Sequence, residues 1–294
     1  MHDAEGCDII HRERKLGING NESRPMRALH EKRKKKGNVR ELTEMKTKSF
    51  SIHEPPINIR CLMYSGDSAV KRAVVYCHGF AGNKGTRSAA RFAEYMLPKY
   101  QDMAVLCFDW PCHGEDVRKK LCLADCDAYL AAVVRCARET LRADEIDCYA
   151  SSFGGYLALR YIRENGDPFR LIALRSPAVN MYEVLDSMLT DADRAQIARG
   201  KDAPVGFERK IAVGRAFLGE LKAADIMAAD YSAEAGSILI MHGEKDEVVP
   251  FAAAKAFAEK NGIDFIPFPS ADHRFSDPKL MTEAIQYVEA FFAY

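Results

Sequence analysis

From about residue 48 to the end of the chain, short apolar runs alternate with longer segments of helical periodicity, and this alternation restricts the fold more than any other feature. The apolar runs include AVVYCHGF (73–80), MAVLCFDW (103–110), IDCYAS (146–151) and SILIMHGE (237–244). Apolar strands separated by amphipathic helices are typical of βαβ units, which build a mostly parallel sheet with helices on both faces. The pattern therefore predicts an α/β protein whose ligands bind beyond the carboxyl ends of the strands.

The chain divides into segments of different composition. Residues 1–47 contain the basic run EKRKKKGNVR and lack a sustained apolar period, which predicts a disordered N-terminal extension. Residues 48–294 carry the strand and helix pattern and form the predicted domain. Within this domain, residues 178–233 separate two strands by more than a simple crossover needs. Their helical periods predict a small helical cap over the strand ends.

Two alternatives stay open for the basic extension. A nucleic-acid-binding arm would interleave aromatic residues with its basic side chains, and the run at residues 31–40 contains none. Met45 opens MKTKSFSI, where the pattern of a folded domain begins, so a start at Met45 is the second alternative. The whole chain balances 42 basic against 42 acidic residues, and this neutrality favours no nucleic-acid partner.

Composition predicts a cytoplasmic protein with a substantial core. Hydrophobic residues make up 48% of the 294 residues, which is enough for one large α/β domain. Residues 1–20 lack the apolar segment of a signal peptide, and no apolar run approaches the length of about 18 residues that spans a membrane. The nine cysteines are an odd number without disulfide-scaffold spacing, which favours a reducing cytosol.

The segment CYASSFGGYLAL (148–159) joins a predicted strand directly to a predicted helix. A nucleophilic serine at such a junction stands on a sharp turn, which needs small residues two positions before and two positions after it. Ser152 has Ala150 and Gly154 at these positions, whereas Ser151 has an aromatic residue at both. Ser152 is therefore the candidate nucleophile, and the alternative is a serine that only caps the helix.

A serine hydroxyl is a weak nucleophile unless a base accepts its proton, and the base needs a carboxylate to orient it. Asp246 follows a predicted strand in HGEKDEVVP, and His273 follows the last predicted strand in SADHRFSDP. The order Ser152, Asp246, His273 is the order used by serine hydrolases built on a parallel sheet. Two alternatives remain, since Glu244 could be the acid and Asp246 could cap the helix that begins near Pro250.

The remaining histidines fit the role of the base less well. Those in the extension and in the opening strand pair do not follow a strand of the βαβ pattern. Three others precede glycines in turns, where structural hydrogen bonds are expected; they are His78, His113 and His242.

Two backbone N–H groups are needed to face the negative charge that develops on a substrate oxygen. Phe153, directly after the candidate nucleophile, is expected to supply one from a helix N-terminus, where the helix dipole favours negative charge. Phe80, in the HGF turn after an apolar strand, is expected to supply the other. Apolar side chains near the strand ends are also candidates for an acyl pocket, although such residues are often core. Besides the two phenylalanines, these candidates are Trp110, Met181 and Tyr182.

Five segments together resemble the successive signature segments of the α/β-hydrolase superfamily. They are HGFAGNKG (78–85), FDWPCHGE (108–115), ASSFGG (150–155), HGEKDEVVP (242–250) and ADHRF (271–275). The resemblance covers about residues 50–294 and implies the α/β-hydrolase fold. Within the superfamily, the chain is most similar to small bacterial carboxylesterases of the cinnamoyl- and feruloyl-esterase-like group. That group shares the HGF-x-G-N turn, a short insertion after an SPA-like segment, and an ADH-x-F close.

The resemblance implies hydrolysis of a carboxylic ester with a small or medium acyl group through an acyl-enzyme. Ser152 would attack the ester carbonyl, His273 would move the proton, and Asp246 would hold the imidazole. The expected partner is a small-molecule ester, and neither a metal nor an organic cofactor is implied. The same triad also serves thioesterases, lipases and peptidases, so these activities stay open, as does a binding protein that has lost catalysis.

The chain departs from the superfamily pattern at two positions. Ala150 replaces the first glycine of the G-x-S-x-G elbow, and Cys112 replaces the glycine of the D-x-x-G-H-G turn. Cys112 and His113 could suggest a metal site with Cys122 and Cys126 nearby. No CxxC or HxxxH spacing supports such a site, so structural thiols are expected.

Overall fold

The computed structural model describes residues 45–206 and 209–293. The strands are β1 (Lys46–Glu54), β2 (Ile57–Ser65), β3 (Arg72–Cys77), β4 (Met103–Phe108), β5 (Glu145–Ser151), β6 (Ile172–Arg175), β7 (Ala203–Val205), β8 (Ile211–Val213), β9 (Ile238–Gly243) and β10 (Asp264–Phe268). The helices are α1 (Arg87–Met96), α2 (Leu123–Arg135), α3 (Phe153–Asn165), α4 (Met181–Ser187), α5 (Asp191–Ala198), α6 (Arg215–Ala223), α7 (Phe251–Asn261) and α8 (Pro278–Phe292). Residues 1–44 of the predicted extension 1–47 lie outside the described residues. Its last two residues, Lys46 and Thr47, were wrongly placed in the extension, because they pair with β2 as the start of β1.

Eight strands form the central sheet, in the order β1-β2-β4-β3-β5-β6-β9-β10. The hairpin β1–β2 is antiparallel and pairs antiparallel with β4, whereas every neighbouring pair from β4 to β10 is parallel. This confirms the predicted mostly parallel sheet. All of its parallel strands therefore end at one edge, where α/β proteins bind ligands.

Two apolar clusters cover the two faces of the sheet. Side chains of α2, α3 and α7 pack on one face, and side chains of α1 and α8 pack on the other. Neighbouring residues of a strand enter opposite clusters, as Val74 and Val75 do in β3. Because both faces are covered, the central strands read as continuous apolar runs. No helix in the described ranges is long and apolar enough to cross a membrane.

The insertion between β6 and β9 differs in part from the predicted helical cap. It contains α4, α5 and α6, but also the short antiparallel hairpin β7–β8. The run at residues 208–227 has a helix-like period, yet Ile211–Val213 is a strand and the helix begins only at Arg215. Gly214 separates the two because a Cβ there would lie 2.0 Å from a carboxylate oxygen of Asp202.

Side chains of the insertion bond to the rest of the domain near the ends of the parallel strands. The Arg209 guanidinium donates to the carbonyl oxygens of Cys112 and Gly114, in the turn that follows β4. Glu220 of α6 accepts the backbone N–H of Leu123 at 2.7 Å, and therefore caps the first turn of α2. The insertion thus rests on the same edge of the sheet where the parallel strands end.

Candidate active site

Ser152 occupies a strained turn between β5 and α3. Its φ of 53° and ψ of −120° lie in a region that non-glycine residues rarely adopt. Gly154 makes the turn possible, since a Cβ there would lie 2.4 Å from the Cys77 carbonyl oxygen of β3. Ala150, the departure from the superfamily pattern, is fully buried. This is the strand-turn-helix geometry that lifts a serine hydroxyl above the end of a sheet.

The Ser152 hydroxyl does not cap the helix that follows it. Its Oγ makes no capping hydrogen bond to α3 and instead lies 3.0 Å from Nε2 of His273. The alternative that Ser152 only caps a helix is therefore wrong. The first N–H groups of α3 have no acceptor within the helix and remain available to a ligand.

His273 lies between Ser152 and Asp246. Its Nδ1 is 2.8 Å from Oδ2 of Asp246, and a carboxylate oxygen can only accept, so Nδ1 carries the hydrogen. The Nε2 lone pair then faces the Ser152 hydroxyl. The three predicted residues therefore form one continuous chain of hydrogen bonds.

Four hydrogen bonds hold the Asp246 carboxylate. Its Oδ1 accepts the backbone N–H groups of Val248 and Val249 at 2.9 and 2.7 Å. Its Oδ2 faces His273 and also lies 3.1 Å from Nε2 of His242. Burial raises the pKa of Asp246, but the hydrogen bonds from the two histidines and from the Val249 backbone, together with the electrostatic interaction with His273, outweigh burial and hold that pKa well below its usual range. Asp246 is therefore an anion at neutral pH.

Neither alternative for the acid fits this geometry. Helix α7 has Pro250 at its N-cap and no side-chain capping bond, so Asp246 does not cap it. The side chain of Glu244 is exposed, and its backbone N–H bonds to Phe268 of the neighbouring strand.

His242 contributes a contact that sequence reasoning missed. Its Nε2 lies 3.1 Å from both the Val249 carbonyl oxygen and the Asp246 carboxylate, so Nε2 carries the hydrogen. Its Nδ1 is buried and has no hydrogen-bond partner among the described residues. A histidine at the end of a strand, four positions before the candidate acid, is the signal that could have indicated this contact.

The turn after β3 lies directly against the serine elbow. A Cβ at Gly79 would lie 3.2 Å from the Cβ of Ser152. The aromatic rings of Phe80 and Phe153 meet edge to face with centroids 5.6 Å apart. The two residues expected to donate backbone N–H groups are therefore neighbours beside Ser152.

A buried carboxylate holds the turns on this side of the site. Asp109 is fully buried and accepts the backbone N–H groups of Lys84 and Glu115 at 2.7 and 2.9 Å. The Lys84 ammonium adds a third contact at 3.1 Å. Asp109 thus joins the turn after β3 to the turn after β4.

Two buried histidines fill the space behind the Phe80 turn. Nδ1 of His78 donates to the Gly79 carbonyl oxygen, and Nδ1 of His113 donates to that of Pro111, both at 2.8 Å. The ring of His113 stacks on that of Phe153 with centroids 6.0 Å apart. Burial lowers the pKa of His78 to about 4 and that of His113 to about 3, so both are neutral at pH 7. These two histidines make the structural hydrogen bonds expected of them.

The predicted pocket residues fall into two groups. Trp110 is fully buried, and its Nε1 donates to the His78 carbonyl oxygen. The prediction that Trp110 lines a substrate pocket is therefore wrong, because its ring is part of the core beside Phe108. Met181 and Tyr182, in contrast, both line a cavity of about 230 Å³ under the insertion.

One residue that lines the cavity, Tyr156, lies one helical turn after the candidate nucleophile in α3. The lining of the cavity comprises Tyr156, Val179, Met181, Tyr182, Glu183, Leu221, Lys222 and Asp225, and includes neither Ser152 nor His273. The backbone N–H of Tyr156 donates to the Ser152 carbonyl oxygen at 3.1 Å, and so does that of Ala178, which precedes Val179. The cavity wall is thus bonded directly to the elbow.

The sequence also raised a metal site at Cys112 and His113, with Cys122 and Cys126 nearby. In residues 45–206 and 209–293, no three His, Cys, Asp or Glu side chains are grouped so as to hold a metal ion. Cys112 has a φ of 68°, a left-handed value at which glycine is favoured. That conformation explains why the superfamily turn usually has glycine here.

Comparison with known proteins gives one family match. The chain matches the family model described as "alpha/beta hydrolase fold" over residues 72–229, just over half of its length. No curated protein sequence matches it.

Several solved structures share the fold. Est1E from Butyrivibrio proteoclasticus, solved with ferulic acid bound, is 20% identical with a TM-score of 0.67 over 83% of this chain and 100% of that chain. Mouse alpha/beta hydrolase domain-containing protein 10 is 14% identical with a TM-score of 0.63 over 84% and 98% of the two chains. Dienelactone hydrolase from Anabaena variabilis is 16% identical with a TM-score of 0.56 over 85% and 98%. The predicted fold is confirmed, and the chain belongs to the α/β-hydrolase fold family.

Proposed function

We propose that this protein is a serine esterase that cleaves carboxylic esters of small or medium acyl groups through an acyl-enzyme. The hydrogen-bonded chain from Ser152 Oγ through His273 to Asp246 carries the proposal, with distances of 3.0 and 2.8 Å. A nucleophile, a base and an orienting carboxylate in this arrangement are the requirements for nucleophilic acyl transfer.

The chemistry follows from the hydrogen positions. Nε2 of His273 accepts the Ser152 proton while Oγ attacks the ester carbonyl carbon, and it then donates that proton to the departing alcohol. A water molecule attacks the acyl-enzyme by the same route, releases the acid and regenerates Ser152. Asp246 keeps the hydrogen on Nδ1 and stabilises the imidazolium that forms in each step.

The backbone N–H groups of Phe80 and Phe153 are proposed to bind the developing oxyanion. Supporting this assignment, the two rings are in contact, and the Gly79 backbone lies so near the elbow that a Cβ there would be 3.2 Å from the Cβ of Ser152. The Phe153 N–H also lies at the N-terminus of α3, where the helix dipole favours negative charge. Donors held in this way need no reorganisation during the reaction.

The cavity lined by Met181 and Tyr182 is proposed to hold the acyl group. Its volume of about 230 Å³ suits a short acyl chain or a single aromatic ring. Because Est1E was solved with ferulic acid bound, an ester of an aromatic acid is one of the substrates to be tested. We propose esters of short acyl groups as substrates, and not long-chain lipids, because charged residues such as Lys222 and Asp225 line the same cavity.

A cytoplasmic location is proposed because the cysteine thiols of the described residues are not paired in disulfides. All eight cysteines in the described ranges are free, and most of them are buried in the core. Unpaired thiols are the usual state in a reducing compartment.

Fluorophosphonate labelling combined with ester hydrolysis tests the proposal. The wild-type protein is expected to label at one site and to hydrolyse p-nitrophenyl acetate and butyrate. Ser152→Ala is expected to lose both properties, whereas Ser151→Ala, its matched control, is expected to keep them. Full esterase activity in Ser152→Ala would contradict the proposal. A feruloyl ester and an acyl thioester in the same assay would identify the class of acyl substrate.

A further inference from the structure

Arg175 is a buried cation at the end of β6, beside the serine elbow. The residue is only 5% exposed, and within the part of the chain that the structure describes its guanidinium has no carboxylate partner and its Nε has no hydrogen-bond partner. Burying a charge without an opposite charge is unfavourable, so the side chain needs another reason to be there.

The backbone of Arg175 holds the nucleophile. Arg175 lies opposite Ser151 in the register of β5 and β6. Its carbonyl oxygen accepts the backbone N–H of Ser152 at 3.1 Å. Movement of this strand end would therefore move the elbow.

The side chain of Arg175 holds the loop that carries the candidate base. Nη1 donates to the carbonyl oxygen of Arg274, the residue after His273, at 3.0 Å. The guanidinium carbon lies 5.5 Å from the ring centroid of Phe275, which is buried and has a φ of 54°. One residue thus bonds to both sides of the Ser152–His273 pair.

We propose that Arg175 is a positioning residue that sets the separation of Ser152 from His273, an inference that rests on the proposed esterase function. Its guanidinium faces the cluster that contains Tyr76 and Tyr149, away from the cavity under the insertion. Arg175 therefore acts without touching substrate. Misplacing a base by a fraction of an ångström slows proton transfer while leaving substrate binding intact.

Arg175→Met and Arg175→Lys test the proposal, with p-nitrophenyl butyrate as substrate. Fluorophosphonate titration counts the active sites, so kcat is expressed per active site. A loss of folded protein therefore does not change the kcat value. Arg175→Met is expected to lower kcat per site at least tenfold while KM stays within threefold. Arg175→Lys keeps a cation and a hydrogen-bond donor, so its kcat per site is expected to lie between those of the wild type and of Arg175→Met.

Arg170→Met is the matched control. Arg170 precedes the same strand at the opposite edge of the sheet, and its guanidinium also donates to a backbone carbonyl oxygen, that of Phe292 at 2.9 Å. The kcat per site of Arg170→Met is expected to stay within twofold of wild type, even if the melting temperature of this variant falls.

Three results would overturn the inference. They are a kcat per site in Arg175→Met within threefold of wild type, an equal kcat in Arg175→Met and Arg175→Lys, and an equal loss in Arg170→Met. If Arg175→Met does not fold, Arg175→Lys decides the question: a loss of more than threefold supports the role, and a smaller one contradicts it. A wild-type protein that neither labels nor hydrolyses esters would instead contradict the proposed function.

Discussion

His242 donates a hydrogen bond from Nε2 to the same carboxylate oxygen of Asp246 that faces His273, so two histidines share one acceptor. The Nδ1 of His242 has no partner among the described residues, which leaves the bonds of Nε2 to hold this ring. The orientation of the candidate acid therefore depends on a residue that does not itself meet Ser152.

Replacing His242 by Leu is expected to reduce kcat/KM about tenfold, because a hydrogen bond to a charged group contributes about 1.5–3 kcal/mol. The pKa of Asp246 should rise toward its ordinary value, yet the group stays ionised at neutral pH, so the loss reflects orientation. His242→Gln keeps an N–H donor and should stay closer to wild type. Equal kcat/KM values for His242→Leu and wild type would contradict this role. Steady-state kinetics at pH 7 provides the measurement.

Gly154→Ala is expected to lower the free energy of unfolding by more than 2 kcal/mol, roughly the range for a severe backbone clash. The added Cβ would lie 2.4 Å from a backbone oxygen of β3, which cannot move without distorting the sheet. Gly219→Ala is the control, because Gly219 is exposed in the middle of α6 and a Cβ there meets nothing within 4 Å. That variant should gain about 0.5–1 kcal/mol of stability. Urea denaturation of both variants makes the comparison, and equal stabilities would refute it.

Stability is expected to fall as the pH decreases from about 6.5 toward 4. His78 and His113 are buried and neutral, with pKa values of about 4 and about 3, whereas in the unfolded chain both bind protons below about pH 6.5. The unfolded state therefore takes up about two more protons, and the free energy of unfolding falls by up to about 2.7 kcal/mol per pH unit. The decrease levels off below the folded pKa values.

Urea denaturation at pH 7 and pH 5 measures this decrease. In His113→Gln the decrease in stability between pH 7 and pH 5 should be about half of that in the wild type. His53→Gln, at an exposed position of β1, serves as the control. An unchanged pH dependence in His113→Gln would show that this residue is not a source of the effect.

Met181→Trp is expected to reduce hydrolysis of p-nitrophenyl butyrate relative to acetate by roughly tenfold, a change of about 1.4 kcal/mol. Met181 is buried and lines the cavity under the insertion, so a larger side chain takes up acyl space. Met188→Trp, just beyond the other end of α4, is the control because Met188 does not line the cavity. A butyrate-to-acetate ratio equal to that of wild type would place the acyl group elsewhere.

The order of strands and helices, and the residues brought together at the strand ends, could be predicted from the sequence. Both depend on local patterns, since an apolar run becomes a central strand and a serine flanked by small residues becomes an elbow. The hairpin β7–β8 could not, because three-residue strands are too short to establish a period of two. Trp110 was misplaced because an aromatic residue at a strand end has the same local signal whether it lines a pocket or fills the core.

The contacts of Arg175 lay beyond prediction for a different reason. They depend on where its side chain meets a loop that is distant in the chain, since the carbonyl oxygen of Arg274 belongs to a residue 99 positions away. A backbone acceptor of this kind leaves no trace in the identity of the residue that carries it.

The insertion leaves the sheet after β6 and returns before β9, and it is bonded to the turn after β4, at the edge of the sheet where Ser152, Asp246 and His273 meet. Two of its anchoring side chains, Arg209 and Glu220, bond to the turn after β4 and to the first turn of α2, and not to the reacting groups. Seven of the eight residues that line the proposed acyl cavity belong to the insertion, so the proposed function assigns substrate preference and chemistry to largely separable parts of the gene. A combinatorial library confined to the insertion, with those two anchors kept, would diversify the esters accepted while every variant inherits the same reacting groups.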